Sequence, residues 1–220
     1  MSKATAHKRA RGRPRQLSPA EREALILDAA ERLLVKNGFD AATMEGIAAE
    51  AGMSKRTLYE VFRDRAALVE ACVRRIRLSL VRPLSREERA LPLRRRLLRM
   101  FEPDARNVDL ATPLAVLRAV IVEAQRRPEI GRAFLREGPE TAYAEVAEEL
   151  RRAVAAGEIL LKDPDLAARM LCDMVFDNPI ERLIDRTRAP RSAEEAETRL
   201  TLAVETFLAG CKVRPGPRSI

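Results

Sequence analysis

The 220-residue sequence has no tryptophan, one histidine and three widely separated cysteines. The cysteines, at positions 72, 172 and 211, have no C-x-x-C spacing, which argues against a zinc site or a disulfide framework. The histidine, His7, lies in the first few residues, so the commonest general base is absent from the rest of the chain. Nucleotide-binding glycine loops and nucleophile motifs are also absent. We therefore predict that the protein is not an enzyme and binds no metal or cofactor.

Long apolar runs are missing as well. No stretch of about 18 apolar residues occurs, so no membrane span is predicted. The basic N-terminus is not followed by the apolar stretch of a secretory signal, and we expect a cytoplasmic protein. Hydrophobic residues make up 46% of the chain and aromatic residues only 4%, with Leu, Ala, Arg and Glu abundant. This composition predicts an all-α protein with one small and one larger domain.

The most informative segment is MEGIAAEAGMSKRTLYEVFRDRAAL, residues 44 to 68. Thr43 is placed to cap a short helix, Gly52 can end it with a positive φ, and Ser54 can cap a second helix. Asp64 is placed to cap a third helix, which starts at Arg65. Two short helices joined by a glycine turn form a helix-turn-helix, the unit that lays its second helix in the DNA major groove.

The second helix of this pair has one apolar side and one polar side. Leu58 and Phe62 are four residues apart and should pack against the first helix. On the opposite side, Lys55 in the first turn is expected to meet a phosphate, together with the backbone N–H groups that follow the Ser54 cap. Arg56 and Thr57 are the predicted specificity residues, because an arginine at that place can bond guanine bidentately.

Three further residues are predicted to hold the DNA backbone. Tyr59 should contact a phosphate through its hydroxyl, because it is exposed on a short helix. Thr43 and Arg65 should contact the backbone on either side of the recognition helix, and Ser54 is also predicted to contact DNA.

Residues 18 to 70 resemble the DNA-binding domain of the TetR family of bacterial transcription regulators. The resemblance lies in the capped first helix, the alanine-rich run, Gly-hydrophobic-Ser and then Lys-x-Thr-Leu-Tyr-x-x-Phe. It also implies the phosphate contact of Tyr59. A weaker likeness to the AefR-like C-terminal class occurs in VEAQRRPEIGRAFLREGPE, residues 122 to 140. Glu60 and Val61 occupy positions that vary in the family, so the resemblance implies no operator sequence.

Residues 1 to 17 form a basic arm with six basic residues and no acidic one. Such a segment cannot bury enough apolar surface to fold alone, so we predict disorder until it meets a polyanion. Within it, Arg11, Arg13 and Arg15 surround Gly12 and Pro14 as in an AT-hook, and they are predicted to enter the minor groove. The alternatives are a solubilising tail and a localisation-like basic run.

Proline, glycine and capping signals divide the rest of the chain into helices. The first helix is predicted from Ser18-Pro19 to Asn37-Gly38, the fourth from Arg65 towards Pro83, and the fifth over 92–101. A helix from Thr112-Pro113 to before Pro128 is followed by a short segment to Gly138 and by a helix over 140–156 that Gly157 closes. A helix over 164–186, kinked at Asn178-Pro179, and a last helix over 193–209 complete the prediction. In the fifth helix, Arg94, Arg95, Arg96 and Arg99 are interpreted as a solvated face rather than an anion site.

The last two helices are the predicted dimer interface. A single helix-turn-helix domain (residues 18 to 70, the reading head) covers only a few base pairs, so a homodimer on a palindromic operator is expected. The two helices would form a four-helix interface with a second subunit, as the resemblance implies. The alternative is that their apolar faces serve only the internal core. The interface residues predicted are Leu171, Val175, Leu200, Val204, Phe207 and Leu208.

The middle helices, roughly 92 to 156, are predicted to enclose the pocket for a small-molecule effector, as the resemblance implies. The low aromatic content of the chain favours an aliphatic or mixed pocket over one that stacks aromatic rings on a planar ligand. Core packing would explain the same residues equally well. The predicted lining residues are Leu117, Ile121, Phe134, Tyr143 and Met174.

The predicted organisation is a basic arm (1–17), a homeodomain-like three-helix helix-turn-helix domain (18–70), a larger helical ligand-binding and dimerisation domain (71–211) and a flexible tail (212–220). The predicted function is a homodimeric repressor that a small-molecule effector releases from double-stranded DNA. Two alternatives stay open, an architectural DNA-binding protein without an effector and a helical adaptor that has lost DNA binding.

Overall fold

The computed structural model describes residues 17–102, 111–185, 187–189 and 192–211, with only the backbone described at 38–41 and 111. No strand occurs in these ranges, and the predicted all-α fold class is confirmed. The helices are α1 (Pro19–Ala41), α2 (Met44–Glu50), α3 (Lys55–Val61), α4 (Arg65–Leu80), α5 (Leu93–Phe101), α6 (Ala111–Ala124), α7 (Pro128–Leu135), α8 (Thr141–Ala155), α9 (Pro164–Val175), α10 (Ile180–Ile184) and α11 (Ala193–Gly210), with a short 3₁₀ turn at Glu88–Ala90 and a π turn at Arg136–Glu140. The predicted arm residues Arg11, Arg13 and Arg15 and the predicted tail 212–220 lie outside the described residues.

The predicted helix starts at Ser18 and Ser192 are confirmed as capping boxes. The Ser18 hydroxyl accepts from the Glu21 N–H at 3.2 Å, and the Ser18 N–H donates to the Glu21 carboxylate at 2.8 Å. Ser192 and Glu195 form the same reciprocal pair before α11. Each box satisfies two N–H groups that would otherwise lack a partner.

Two predicted helix limits are wrong. Helix α1 does not end at Asn37-Gly38 but continues to Ala41. A glycine inside a helix costs only about 1 kcal/mol relative to alanine, which continued backbone hydrogen bonding can offset. Helix α6 already includes Ala111, so Thr112 does not cap it. Pro113 lies within the helix, where it has no N–H to donate.

The segment before Gly138, predicted as a short connection, is helical throughout. Helix α7, the π turn and α8 follow one another without a break. Pro139 lies inside the π turn and has no N–H to donate. The Thr141 hydroxyl donates to the Arg136 carbonyl oxygen at 2.6 Å and so joins the start of the π turn to the first residue of α8.

The predicted helix over 164–186 is divided in two rather than kinked. Helix α9 ends at Val175, and Phe176 has an extended backbone. A proline at 179 disfavours helical geometry for the residue before it, and the Asn178 side chain accepts from the Ile180 N–H at 3.1 Å to start α10. The interruption is therefore where the sequence predicts it, but the chain leaves the helix there.

Arg96 of α5 does not lie on the solvated face that was predicted for the arginines of this helix. This side chain is buried among Leu93, Leu97 and Met100. Its Nε donates to Glu149 at 2.6 Å, and its Nη2 donates to Glu158 at 2.7 Å. The prediction is wrong for this arginine, because carboxylates distant in sequence neutralise it inside the protein.

The helices enclose two hydrophobic cores. Core one contains residues of α1 to α4 together with α6 and α7, and its centre includes Ile26, Ile47 and Leu58. Core two contains residues of α5, α8, α9 and α11, and its centre includes Leu150 and Leu171. Helix α6 packs mainly on α1 of the predicted DNA-binding domain, and α7 packs on α4 and on the π turn.

Helix α4 and the π turn join the two cores. A Cβ atom on Gly138 would lie 3.1 Å from Cγ1 of Val73, so the turn lies directly against α4. One turn further along α4, Arg77 Nη1 donates to Glu145 of α8 at 2.6 Å. Arg136 also donates to Glu70 at 2.7 Å. These contacts link the helix that follows the reading head to the first half of α8.

Within the described residues, no helix is long and apolar enough to cross a membrane. The same residues contain no group of three or more His, Cys, Asp or Glu side chains that could hold a metal ion.

Candidate DNA-binding surface

Helices α2 and α3 form the helix-turn-helix that the sequence predicts. Gly52 has a φ of +66°, a conformation that glycine adopts at little cost. Ile47 and Ala48 of α2 and Leu58 of α3 are buried between the helices. Small and apolar residues at this contact hold α3 at a fixed angle and leave its other side in solvent.

The capping residues use their side-chain oxygens within the protein. Thr43 Oγ1 accepts from the Gly46 N–H at 3.0 Å, and Ser54 Oγ accepts from the Thr57 N–H at 3.1 Å. The Thr57 hydroxyl lies 2.8 Å from that of Ser54, and Thr57 is half-buried. Thr57 therefore projects less than its neighbour Arg56, and its predicted contact with a base, like those of Thr43 and Ser54 with DNA, stays a prediction.

The outward side of α3 carries charged and aromatic side chains. The Arg56 side chain is 89% exposed, and its Nε donates to the Glu60 carboxylate one turn later at 3.0 Å. Lys55 forms an ion pair with Glu45 in the first turn of α2. Tyr59 lies between them with its ring exposed. The predicted DNA contacts Lys55, Arg56 and Tyr59 thus share one solvent-facing surface, the reading face.

The ion pair between Lys55 and Glu45 shifts both groups. Hydrogen bonding to Lys55 lowers the pKa of the Glu45 carboxyl, and the same bond raises the pKa of the Lys55 ammonium. Both stay charged at neutral pH. Because the pair is exposed, water and salt weaken it, and a DNA phosphate can replace the carboxylate.

Helix α4 begins beside the reading face. Asp64 Oδ1 accepts from the Ala67 N–H at 2.8 Å, which confirms the predicted cap. Arg65 is the first residue of α4 and is half-buried, and its predicted backbone contact stays a prediction. Further along, Arg75 donates to Asp28 at 2.7 Å and forms an ion pair with Glu31 at 2.6 Å, both on α1. These pairs, which the sequence did not suggest, fix the direction of α4 relative to the reading head.

A cleft of about 460 Å³ lies between the loop that follows α4, helix α5, the π turn and α8. Pro83, Leu84, Met100 and Ala144 supply apolar walls. Glu145, which lines the cleft, bonds Arg77 through one carboxylate oxygen, while its Oε2 has no hydrogen-bond partner among the described residues. The other lining residues are Arg89, Arg136, Glu140, Thr141, Glu148, Glu149 and Arg152.

None of the five residues predicted to line an effector pocket is part of the lining of this cleft, and their role stays a prediction. Phe134 packs against core one, and Ile121 is exposed on α6. Tyr143 is half-buried with the Arg169 guanidinium 4.9 Å from its ring centroid, and Leu117 and Met174 are half-buried. Apolar spacing along a helix cannot separate core packing from pocket lining, so the sequence did not single out the residues of this cleft.

The predicted interface residues lie on the inner side of their helices. Leu171, Leu200 and Val204 are buried in core two, and their predicted role in a subunit interface stays a prediction. Val175, Phe207 and Leu208 pack half-buried against the same core. Other apolar side chains of these helices point into solvent, namely Leu166 and Met170 on α9, Ile180 and Ile184 on α10 and Leu202 on α11.

Comparison with known proteins agrees with this architecture. Residues 26–72 match the family described as bacterial regulatory proteins, tetR family, and residues 106–210 match the AefR-like transcriptional repressor C-terminal domain. An HTH-type transcriptional regulator of Mycobacterium tuberculosis is 34% identical over 198 residues, which cover 89% of this chain and 91% of the relative. The chain therefore belongs to the TetR family, and it is a DNA-binding helix-turn-helix regulator of transcription.

Solved structures show the same arrangement of helices. A TetR-family transcriptional regulator from Mesorhizobium loti is 28% identical, with a TM-score of 0.62 over 90% of this chain and 100% of the other. The flavonoid-responsive regulator FrrA is 27% identical, with a TM-score of 0.61 over 91% of this chain and 100% of its own.

Proposed function

We propose that the protein is a homodimeric transcription repressor that leaves a palindromic operator when a small molecule binds its C-terminal part. The observation that carries the DNA-binding half of this proposal is the reading face, where Lys55, Arg56 and Tyr59 stand exposed on a rigidly packed recognition helix. The similarity of residues 106–210 to an AefR-like repressor domain supports repression rather than activation.

Dimerisation is supported by the size of the head and by the exposed side of the last helices. One helix-turn-helix reads only a few base pairs, so two heads on one operator are needed for discrimination in a genome. Leu166 and Met170 lie one turn apart on α9, and Leu202 lies on α11, each more than half exposed. We propose these residues, rather than those buried in core two, as the centre of the subunit interface.

Sedimentation equilibrium tests the interface. Met170→Glu and Leu202→Glu each place a charge in the proposed contact and should convert a dimer to a monomer, because a buried unpaired carboxylate costs several kcal/mol. Leu25→Glu, a leucine exposed on α1, is the control and should stay dimeric. Dimeric Met170→Glu and Leu202→Glu would move the interface elsewhere.

The proposed effector site is the cleft beside α4. A ligand can release DNA only if it binds the non-DNA spacing of the two heads more tightly than the DNA-bound spacing. Helix α4 runs from the reading head to the loop that borders the cleft, and Arg77 connects it to the cleft residue Glu145. A ligand that draws Glu145 away from Arg77 would free α4 to tilt and change the distance between the recognition helices.

Fluorescence anisotropy on an operator found by selection from random DNA tests release. Because FrrA is named as flavonoid-responsive, a panel of flavonoids is the first choice of probe. The expected result is a ligand that lowers operator affinity while leaving the dimer intact, and Ala144→Trp, which fills the cleft, should abolish the response. Release that persists in Ala144→Trp would place the effector site elsewhere, and a selection without a palindromic product would contradict the proposed function itself.

A further inference from the structure

We infer that Glu60 is a positioning residue for base recognition, because its carboxylate holds the Arg56 guanidinium in the orientation that reads a guanine in each half-site. This inference rests on the proposed reading of an operator by α3. It goes beyond that proposal by assigning one residue and one base.

The position of the pair on α3 is the first argument. With about 3.6 residues per turn, positions 56 and 60 lie on the side of the helix opposite Leu58. Leu58 is fully buried against α2, whereas the side chains of Arg56 and Glu60 are 89% and 52% exposed. No other pair of charged side chains on α3 lies so directly opposite its buried stripe. When α3 enters the major groove, these two side chains therefore point most directly at the base edges.

The atoms used within the pair are the second argument. Arg56 donates through Nε to Glu60 Oε1 at 3.0 Å, and its two Nη groups make no hydrogen bond to the described residues. The guanidinium is planar, so fixing Nε also fixes the plane and direction of both Nη groups. Their free N–H groups point away from the pair as a two-donor fork.

Guanine is the base that matches this fork. In the major groove, guanine presents two neighbouring acceptors, O6 and N7, while adenine presents one acceptor and one donor. Two parallel N–H donors satisfy guanine and leave one donor facing a donor at adenine. A long arginine side chain loses much rotamer freedom when it binds, and the Glu60 carboxylate has already restricted that freedom in the unbound protein.

The second ion pair of the reading face provides a matched contrast. Lys55 and Glu45 join α3 to α2 across the helix-turn-helix and lie to the side of the outward line. A lysine is a single point charge without a planar fork, so its carboxylate partner can only weaken attraction to phosphate. Removing Glu45 should therefore change affinity for all sequences alike, and removing Glu60 should change which sequence is chosen.

The test is selection of bound sequences from random double-stranded DNA, followed by affinity measurement with each base at the enriched positions. The full-length wild type should enrich guanine at one symmetric position per half-site. Glu60→Ala, which removes the acceptor of the Arg56 Nε–H, should bind DNA as well as the wild type or better but lose about tenfold of its preference for guanine there, a change of about 1.4 kcal/mol. Arg56→Lys should lose the same preference with an unchanged salt dependence of binding, because the charge stays. Glu45→Ala is the control and should tighten binding without changing the base profile.

The outcomes separate this inference from the proposed function. An operator motif that Glu60→Ala reads with the wild-type guanine preference, or a position that depends on Arg56 but is not guanine, overturns this inference and leaves the proposed function standing. A wild type that enriches no motif overturns both. Thermal melting followed by circular dichroism should give a midpoint for Glu60→Ala close to that of the wild type, because Glu60 is exposed.

Discussion

Arginine and glutamate are paired on the reading face and inside core two, and the two places use the pair differently. On α3, the side chains of Arg56 and Glu60 are 89% and 52% exposed. Inside core two, Arg96 and Glu149 are each 7% exposed, and Arg96 also bonds Glu158 and the Leu91 carbonyl oxygen. An exposed pair is close to neutral for stability and leaves the other donors of its arginine open to DNA, whereas a buried pair cannot lose either member without a large loss of stability.

The largest expected effect is therefore in the buried cluster. Glu149→Ala leaves the Arg96 guanidinium buried with less compensation and should lower the free energy of unfolding by about 3 to 5 kcal/mol. Urea unfolding followed by circular dichroism measures this change. Glu205→Ala, which breaks the half-exposed pair of Arg94 and Glu205, is the control and should cost less than about 1 kcal/mol. Equal losses in the two variants would remove the distinction between buried and exposed pairs in this protein.

An intermediate effect is expected where α4 meets α8. The Arg77 side chain is 10% exposed and its partner Glu145 is 29% exposed, so this pair stands between the two extremes. Arg77→Met keeps the apolar stem and should lower the free energy of unfolding by about 1.5 to 3 kcal/mol, the range for a hydrogen bond to a charged group. Arg74→Met, on the same helix but about half exposed, should change it by less than about 1 kcal/mol. Arg77→Met with wild-type stability would show that the contact between α4 and α8 does not depend on this pair.

On the reading face, a substitution should change binding and leave stability alone. Lys55→Ala should weaken binding to every sequence by a similar factor and make the slope of log K against log salt less steep by about 0.9, the effect of one lost phosphate contact. Titration of operator and unrelated DNA at several salt concentrations measures both quantities. A loss restricted to the operator would transfer Lys55 from phosphate binding to base recognition.

The smallest expected effect concerns the cysteines. Burial raises the pKa of the Cys72 thiol and of the Cys172 thiol to about 12, and it also raises the pKa of Cys211. A thiol with a pKa of about 12 stays protonated as the pH rises through 9, so a thiol-specific disulfide reagent at pH 8 should label almost no Cys72 or Cys172 in the native protein. In guanidinium chloride all three should react. Rapid labelling of the native protein would show that one of the two cores opens readily.

Local signals in the sequence were enough to predict the reading head. Thr43, Ser54 and Asp64 cap helices through bonds that span three residues, and Gly52 turns the chain by its own conformation. Such features depend only on residues close together in the sequence, so they can be predicted from it. The outward positions of Arg56 and Tyr59 follow from the same helical spacing.

Contacts between distant residues could not be predicted in this way. Arg96 meets Glu149 across 53 positions and Arg77 meets Glu145 across 68, yet in sequence these residues look like any surface arginine and glutamate. The cleft and the buried side of α9 and α11 depend on how helices pack, which apolar spacing alone does not determine. The π turn was not predicted because Gly138 and Pro139 usually end helices, and the contact of Gly138 with α4 joins residues 65 positions apart.

The π turn also determines how far α8 is rotated about its axis relative to α7. In its five residues, Arg136–Glu140, backbone hydrogen bonds span five residues rather than the four of an α-helix. Removing one residue from it would rotate the whole of α8 by about 100° relative to α7. Glu145 would then point away from Arg77, and Glu149 away from Arg96, while Val146 and Leu150 would leave core two. The number of residues in the π turn therefore sets the rotation of α8 relative to α7, and with it the orientation of core two relative to the reading head. No substitution within α8 could restore that rotation.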